Sequence, residues 1–395
     1  LNRRMLQPRN KPLNSLLVKP AGPDCNLDCT YCFYLEKSEL FSPGTHRMSV
    51  ETLEILIRQA MEQGGPHVSF AWQGGEPTLM GLPWFEQVVE FQKQYGGGKS
   101  VGNGLQTNGL LLDSDWAKFL KKYEFLVGLS IDGPQRIHDT YRVTRGRRGS
   151  WEVVAAKAKM LMAEGVETNA LTVVTSESAE HPEEIYEYLK ALGFRYMQFI
   201  PCVEGSADDP SAVASFSVSA EAYGRFLVQM FDLWHNDFEN GLPTTSIRYF
   251  DSVFHKYVGM SAPDCTLGRT CGTYVVVEHN GDIFSCDFFV EPKWKLGNIA
   301  TDRLDEMLNS DQQTAFGEWK ADLPEMCRSC RWLRNCWGGC TKDRIRDPQL
   351  TDPNHFCRSY MMFFEHADTA LTELAMRWRH QHMNGGTVRP LRVRS

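Results

Sequence analysis

Residues 25–32 read CNLDCTYC, and Phe33 and Tyr34 follow. The run stands behind SLLVK at 15–19, a short apolar segment of strand character. Three thiolates on one loop can wrap a corner of a metal cluster but supply only three ligands, and a structural zinc site needs four. A [4Fe-4S] cube held by three cysteines leaves one iron open to a substrate or cofactor. A zinc loop that borrows a remote fourth ligand is the competing reading.

Working outward, apolar or β-branched runs recur at 67–72 (HVSFAW), 100–106, 125–131, 167–175 and 196–202. Segments of helical period lie between them, at 50–63 with Ser49 as the candidate N-cap, and at 82–95, 114–122, 151–164 and 182–192. The alternation predicts an α/β fold of parallel strands built from βα units. Polar motifs follow the strands: CNLDCTYC the first, QGGEP (73–77) the second, QTNG the third, SIDG the fourth and PCVEG the sixth. In a parallel barrel, loops at the C-terminal strand ends form the active-site mouth, so these motifs are expected to converge.

At 395 residues and 42% apolar composition the chain can bury a large core. A formal charge of -7 argues against a nucleic-acid or anionic-membrane partner. The basic clusters, 142–148 and the tail from Arg389, read as a solvated loop and a frayed end. No apolar run is long enough to span a membrane, and the first residues carry no secretory h-region, so a cytoplasmic location is expected.

Twelve cysteines are many for a reducing compartment, and short spacings there favour metal ligands over disulfides. Cys202 stands alone and reads as a buried free thiol; the others fall in two regions. The second region begins with Cys265, Cys271 and Cys286, continues through CRSCRWLRNCWGGC (Cys327, Cys330, Cys336, Cys340), and ends at Cys357. Taken alone, the fourteen-residue run resembles one four-thiolate zinc site. The whole region holds eight cysteines, enough for two complete cubes, while two zinc sites remain the alternative.

C-x3-C-x2-C with Tyr31 before the third cysteine, together with GGEP (Gly74, Gly75, Glu76), resembles the radical S-adenosylmethionine (SAM) superfamily. That resemblance implies that the open iron chelates SAM, whose reductive cleavage gives a 5′-deoxyadenosyl radical. It also implies cofactor-binding roles for Tyr31, Gly74, Gly75, Glu76, Asn108, Ser130 and Arg142, where a guanidinium suits the SAM carboxylate. The second region, C-x9-G-x4-C followed by C-x2-C-x5-C-x3-C and a last Cys, resembles the SPASM extension with two auxiliary [4Fe-4S] clusters. By that resemblance Cys265, Cys271, Cys286 and Cys340 hold one cluster, and Cys327, Cys330, Cys336 and Cys357 the other. The expected architecture is a partial (β/α)6 barrel over 13–240, a SPASM domain over 241–365, and a helix end with a disordered tail over 366–395.

Longer stretches, among them CNLDCTYCFYLEK, FAWQGGEPTLMGL, VVVEHNGDIFSCDFFV and CWGGC, resemble the anaerobic sulfatase-maturating enzymes. The resemblance implies oxidation of a Cys or Ser in a C/S-x-P-x-R motif to Cα-formylglycine, on an unfolded or nascent sulfatase. It implies three [4Fe-4S] clusters, SAM, and an electron donor such as flavodoxin or ferredoxin. Asp287, directly after Cys286, stands at the position of the family's proposed base, and Tyr34 and Gln73 are further mouth residues toward substrate. A base and an oxidant side by side suit the loss of a proton and an electron from one site. Another SPASM peptide-modifying enzyme is the first alternative; such enzymes often carry a preceding recognition domain, and here the first motif already begins at residue 25. A noncatalytic iron-sulfur or zinc protein with a peptide groove is the second, and an open iron has little use there.

Overall fold

The computed structural model describes residues 11–34, 36–345 and 352–383. The expected disordered tail and the basic residues from Arg389 lie outside them. Along the chain the six expected strands form as β1 (Ser15–Lys19), β2 (His67–Trp72), β3 (Ser100–Thr107), β4 (Leu126–Ser130), β5 (Thr168–Val174) and β6 (Tyr196–Pro201). Short strands follow: β7 (Phe238–Glu239), β8 (Leu242–Pro243), β9 (Ser246–Ile247), β10 (Val275–Glu278), β11 (Asp282–Phe284) and β12 (Lys295–Asn298). The fold class is α/β, as expected.

The chain divides into two compact units. The first takes residues up to Ser130, Arg142–Thr168 and Cys271–Trp319; the second takes Ile131–Tyr141, Asn169–Thr270 and the chain from Lys320. Each unit therefore draws on both sides of the boundary expected at 240/241. The reason lies in β10, a buried run of three valines and a glutamate that pairs in parallel with β1, Leu16 opposite Val275 and Lys19 opposite Glu278. A strand apolar on both faces is stable only inside a sheet. In the first unit the order is β12, β11, β10, β1, β2, β3, β4, parallel from β10 to β4 and antiparallel at β11 and β12.

Helix α1 (Val50–Gln63) shows how the sequence writes this unit. Ser49 accepts the amide of Thr52 at 3.1 Å, and Leu53, Leu56, Ile57, Ala60 and Met61 fall on one buried face. They join a core in which the Trp72 ring meets Trp84 and Phe85 edge-on. In the second unit β5, β6 and β9 pair in parallel. There the helix Cys357–Met383, somewhat longer than the expected 360–380, stacks Phe363 on Phe250 with centroids 5.5 Å apart. Cys202 is buried beside the end of β6, with a thiol that burial pushes up to about 12. Among the described residues no helix is long and apolar enough to cross a membrane.

Candidate active site

The three-cysteine loop leaves β1 at its C-terminal end, as the sequence leads one to expect. Cys25, Cys29 and Cys32 are half-buried; the Leu27 amide points at Cys25 Sγ at 3.4 Å, and the Cys32 amide bonds Cys29 O at 3.0 Å. The basic stretch 142–148 does more than face water. Asp28 N donates to Val143 O at 2.8 Å, Arg145 donates to Cys25 O at 3.0 Å, and Arg147 pairs with Asp28 at 3.2 Å. Exposed as three of these arginines are, the segment clasps the cysteine loop.

QGGEP closes on the same loop from β2. Gly75 N donates to Gly22 O at 2.8 Å and Glu76 N to Asp24 O at 2.7 Å. A Cβ on Gly75 would stand 2.0 Å from Asp24 O, and Gly74 holds a φ of +119°, so neither position accepts a side chain without displacement. The Glu76 carboxylate is buried and gathers the amide of Thr78 (3.0 Å), the hydroxyls of Thr78 (2.5 Å) and Thr107 (2.7 Å), and the amide of Asn108 (2.8 Å). Burial nevertheless leaves its pKa above the ordinary value, against the pull of these donors. Asn108 in turn donates to Asn26 Oδ1 at 2.7 Å and toward Cys25 Sγ at 3.7 Å. The Arg142 guanidinium lies 5.4 Å over the ring of Tyr31. Ser130 is buried at the end of β4 and, among the described residues, joins none of these hydrogen bonds.

This donor set fits an iron-sulfur cluster. Burial first, then the nearby Glu76 and Cys29 charges, push the Cys25 thiol up to about 12, so its thiolate needs a cationic partner.

The third group lies at the ends of β1, β2 and β10. Gln73 Nε2 donates to Asp287 Oδ2 at 2.9 Å, while the buried Lys19 ammonium contacts Asp287 Oδ1. Lys19 Nζ also stands 3.7 Å from Glu278 Oε1 and 4.0 Å over the Tyr34 ring. Tyr34 OH donates to Glu278 Oε1 at 3.0 Å. The structure places Asp287, Gln73 and Tyr34 near one another, and two residues that sequence reading passed over, Lys19 and Glu278, tie them together. A signal was present: each is a charge that ends an otherwise apolar strand, SLLVK and VVVE. Both are fully buried, which charged groups accept only when paired.

In the second unit Cys327, Cys330, Cys336 and Cys357 line one cavity of about 530 Å³, and Cys340 is not among its walls. Burial and the neighbouring thiol charges push Cys336 up to about 11 and Cys357 up to about 12. The Trp332 amide points at Cys330 Sγ at 3.4 Å. A single zinc ion draws four thiolates to within about 2.3 Å of one point. The four thiols share the walls of one cavity, which has room for a group larger than a single ion.

Comparison with known proteins agrees with this geometry. Residues 20–189 match the Radical SAM superfamily, and residues 265–331 match the SPASM iron-sulfur cluster-binding domain. The cysteine-type anaerobic sulfatase-maturating enzyme of Clostridium perfringens is 38% identical over 367 residues, which cover 92% of this chain and 99% of that one. The serine-type enzyme of Bacteroides thetaiotaomicron is 38% identical over 377 residues, covering 91% and 90%. A solved structure described as native anSMEcpe with bound AdoMet and Cp18Cys peptide superposes with a TM-score of 0.85 at 37% identity, covering 93% of this chain and 99% of that one. Matched over nearly its whole length to enzymes of both types, the chain belongs to the anaerobic sulfatase-maturating enzymes, a radical SAM family with a SPASM extension.

Proposed function

We propose that this protein oxidises the Cys or Ser of a C/S-x-P-x-R motif in an unfolded or nascent sulfatase to Cα-formylglycine. The observation that carries the reading is Asp287: a carboxylate directly after the expected ligand Cys286, held between Lys19 and Gln73. When bound, the SAM-loaded N-terminal cluster supplies the radical that takes a hydrogen atom from the substrate Cβ, and the auxiliary clusters take up the remaining electron.

The residues of the chain handle what is left. Asp287 accepts the thiol or hydroxyl proton of the substrate. The balance is one hydrogen atom, one proton and one electron lost, which converts C–OH to an aldehyde; a thiol gives the thioaldehyde, hydrolysed with release of sulfide. Cys25, Cys29 and Cys32 hold the first cluster. Gly74 and Gly75 let the backbone approach the methionine end of SAM, and Glu76, Asn108, Tyr31, Ser130 and Arg142 surround the cofactor. Tyr34 and Gln73 border the substrate. Cys327, Cys330, Cys336 and Cys357 hold one auxiliary cluster, supported by their shared cavity. For the other, Cys265, Cys271, Cys286 and Cys340, the support is sequence spacing. A flavodoxin or ferredoxin supplies the electrons, and cysteines grouped at short, ligand-like spacing suit the reducing cytoplasm.

The test is anaerobic incubation of the reconstituted enzyme with SAM, dithionite and two peptides, one bearing C-x-P-x-R and one S-x-P-x-R. Equal identity to both enzyme types makes both peptides necessary. Formylglycine detected by mass in either supports the reading; 5′-deoxyadenosine without modification of either peptide rejects it.

A further inference from the structure

We propose that Lys19 is a positioning residue of the oxidation step: its ammonium, anchored by Glu278, fixes the Asp287 carboxylate together with Gln73. The proposal deepens the reading above and rests on it.

Lys19 and Glu278 are register partners on the parallel strands β1 and β10, both fully buried. A buried ion pair is poor value for stability alone, since apolar residues of similar volume hold a core as well or better. This pair is also unevenly matched. One ammonium serves two carboxylates, contacting Asp287 Oδ1 and standing 3.7 Å from Glu278, while its other side is covered by the Tyr34 ring at 4.0 Å. Tyr34 OH donates 3.0 Å to the same Glu278 oxygen, so the ring and the ammonium are placed by one anchor.

The consequence falls on Asp287. An aspartate has two side-chain torsions, and with Lys19 on Oδ1 and Gln73 on Oδ2 both are fixed. Oδ1 is buried and, among the described residues, receives no hydrogen bond beyond that ionic contact. Each carboxylate oxygen offers about two lone-pair sites, and the side chain is 14% exposed, so Oδ2, which takes one bond from Gln73, keeps acceptor capacity for a substrate proton while the direction of the group is set. Strand pairing carries this constraint: Lys19 belongs to the rigid sheet, whereas Asp287 opens a three-residue 3-10 turn. Proton removal tolerates little misplacement, and a shift of about 1 Å costs about 100-fold.

The experiment compares Lys19→Met, Lys19→Arg and the double variant Lys19→Met/Glu278→Met, each reconstituted with its clusters. Four quantities are read: formylglycine formed per 5′-deoxyadenosine, thermal midpoint, dissociation constant for a fluorescent substrate peptide, and the EPR change on adding SAM to reduced enzyme. Lys19→Met is expected to lower formylglycine per 5′-deoxyadenosine about 100-fold. Peptide binding and the SAM-induced EPR change should persist, and Lys19→Arg should recover part of the yield. Lys19→Met also strands Glu278 as an unpaired buried charge and lowers the midpoint, or prevents folding. The double variant removes that charge and should regain stability without regaining formylglycine. Recovery of both in the double variant, or a full yield in Lys19→Met, overturns the positioning role. Absence of formylglycine from the unmodified enzyme would instead count against the proposed reaction.

Discussion

Replacing Asp287 with asparagine separates the base from the structure that holds it. The amide keeps the size of the carboxylate but presents one acceptor and one donor edge. If its oxygen turns to Lys19, its NH2 meets Gln73, whose amide can rotate to offer Oε1 in place of the Nε2 that now donates at 2.9 Å. Lys19 is not stranded, because Glu278 stands 3.7 Å away. The structural cost is therefore that of weakening one buried ionic contact while its cation keeps a partner, about 1–2 kcal/mol. The catalytic cost is much larger: loss of a positioned general base costs about 10²–10⁴-fold. Asp287→Asn should consequently melt within a few degrees of the parent, still form 5′-deoxyadenosine, and lose formylglycine by at least two orders of magnitude. Anaerobic assays with a peptide deuterated at the target Cβ provide the check. Deuterium should enter 5′-deoxyadenosine while little aldehyde forms. Formylglycine at the parental rate would refute Asp287 as the base, and loss of deuterium transfer would show that the substitution had disturbed substrate placement instead.

Two further outcomes follow from the same structure. Gly75→Ala puts a methyl where Asp24 O already stands at 2.0 Å, so the clasp on the cysteine loop should open; reconstituted iron should fall from about twelve to about eight atoms per chain, with SAM binding lost, since each cube carries four irons. Asp251 is held up to about 6 by burial, against the opposing hydrogen bond from Ser246. Its folded pKa exceeds its unfolded one, so the stability it contributes is present below about pH 4 and lost as pH rises through about 6, a cost of about 3 kcal/mol above that. Asp251→Asn should therefore raise the melting midpoint by several degrees at pH 8 and by less at pH 5; an equal or lower midpoint at pH 8 would contradict this.

Much of the first unit was legible because local rules and the fold agree there. Ser49 caps α1, whose apolar residues recur at the helical period, and β1 and β2 stop where their apolar runs stop. The cysteines and GGEP were legible for a different reason: cluster chemistry demands particular residues at fixed spacing, and few other structures demand the same. Arg145 and Arg147 were misjudged because a surface arginine looks the same in sequence whether it is solvated or holds a carbonyl across a loop.

By itself the sequence determined the thiols, the glycines that admit a close backbone, the alternation of strands and helices, and the carboxylate after Cys286. It could not place the boundary between units, because strand pairing is non-local: β10 joins β1 across more than two hundred residues of chain, and no local period records its partner. The same pairing sets Lys19 against Glu278 and brings both to Asp287 and Tyr34. Each charge taken alone is a defect at the end of an apolar strand. Only the sheet register turns the two defects into a buried pair, because burial makes an unpaired charge costly and the fold supplies the partner.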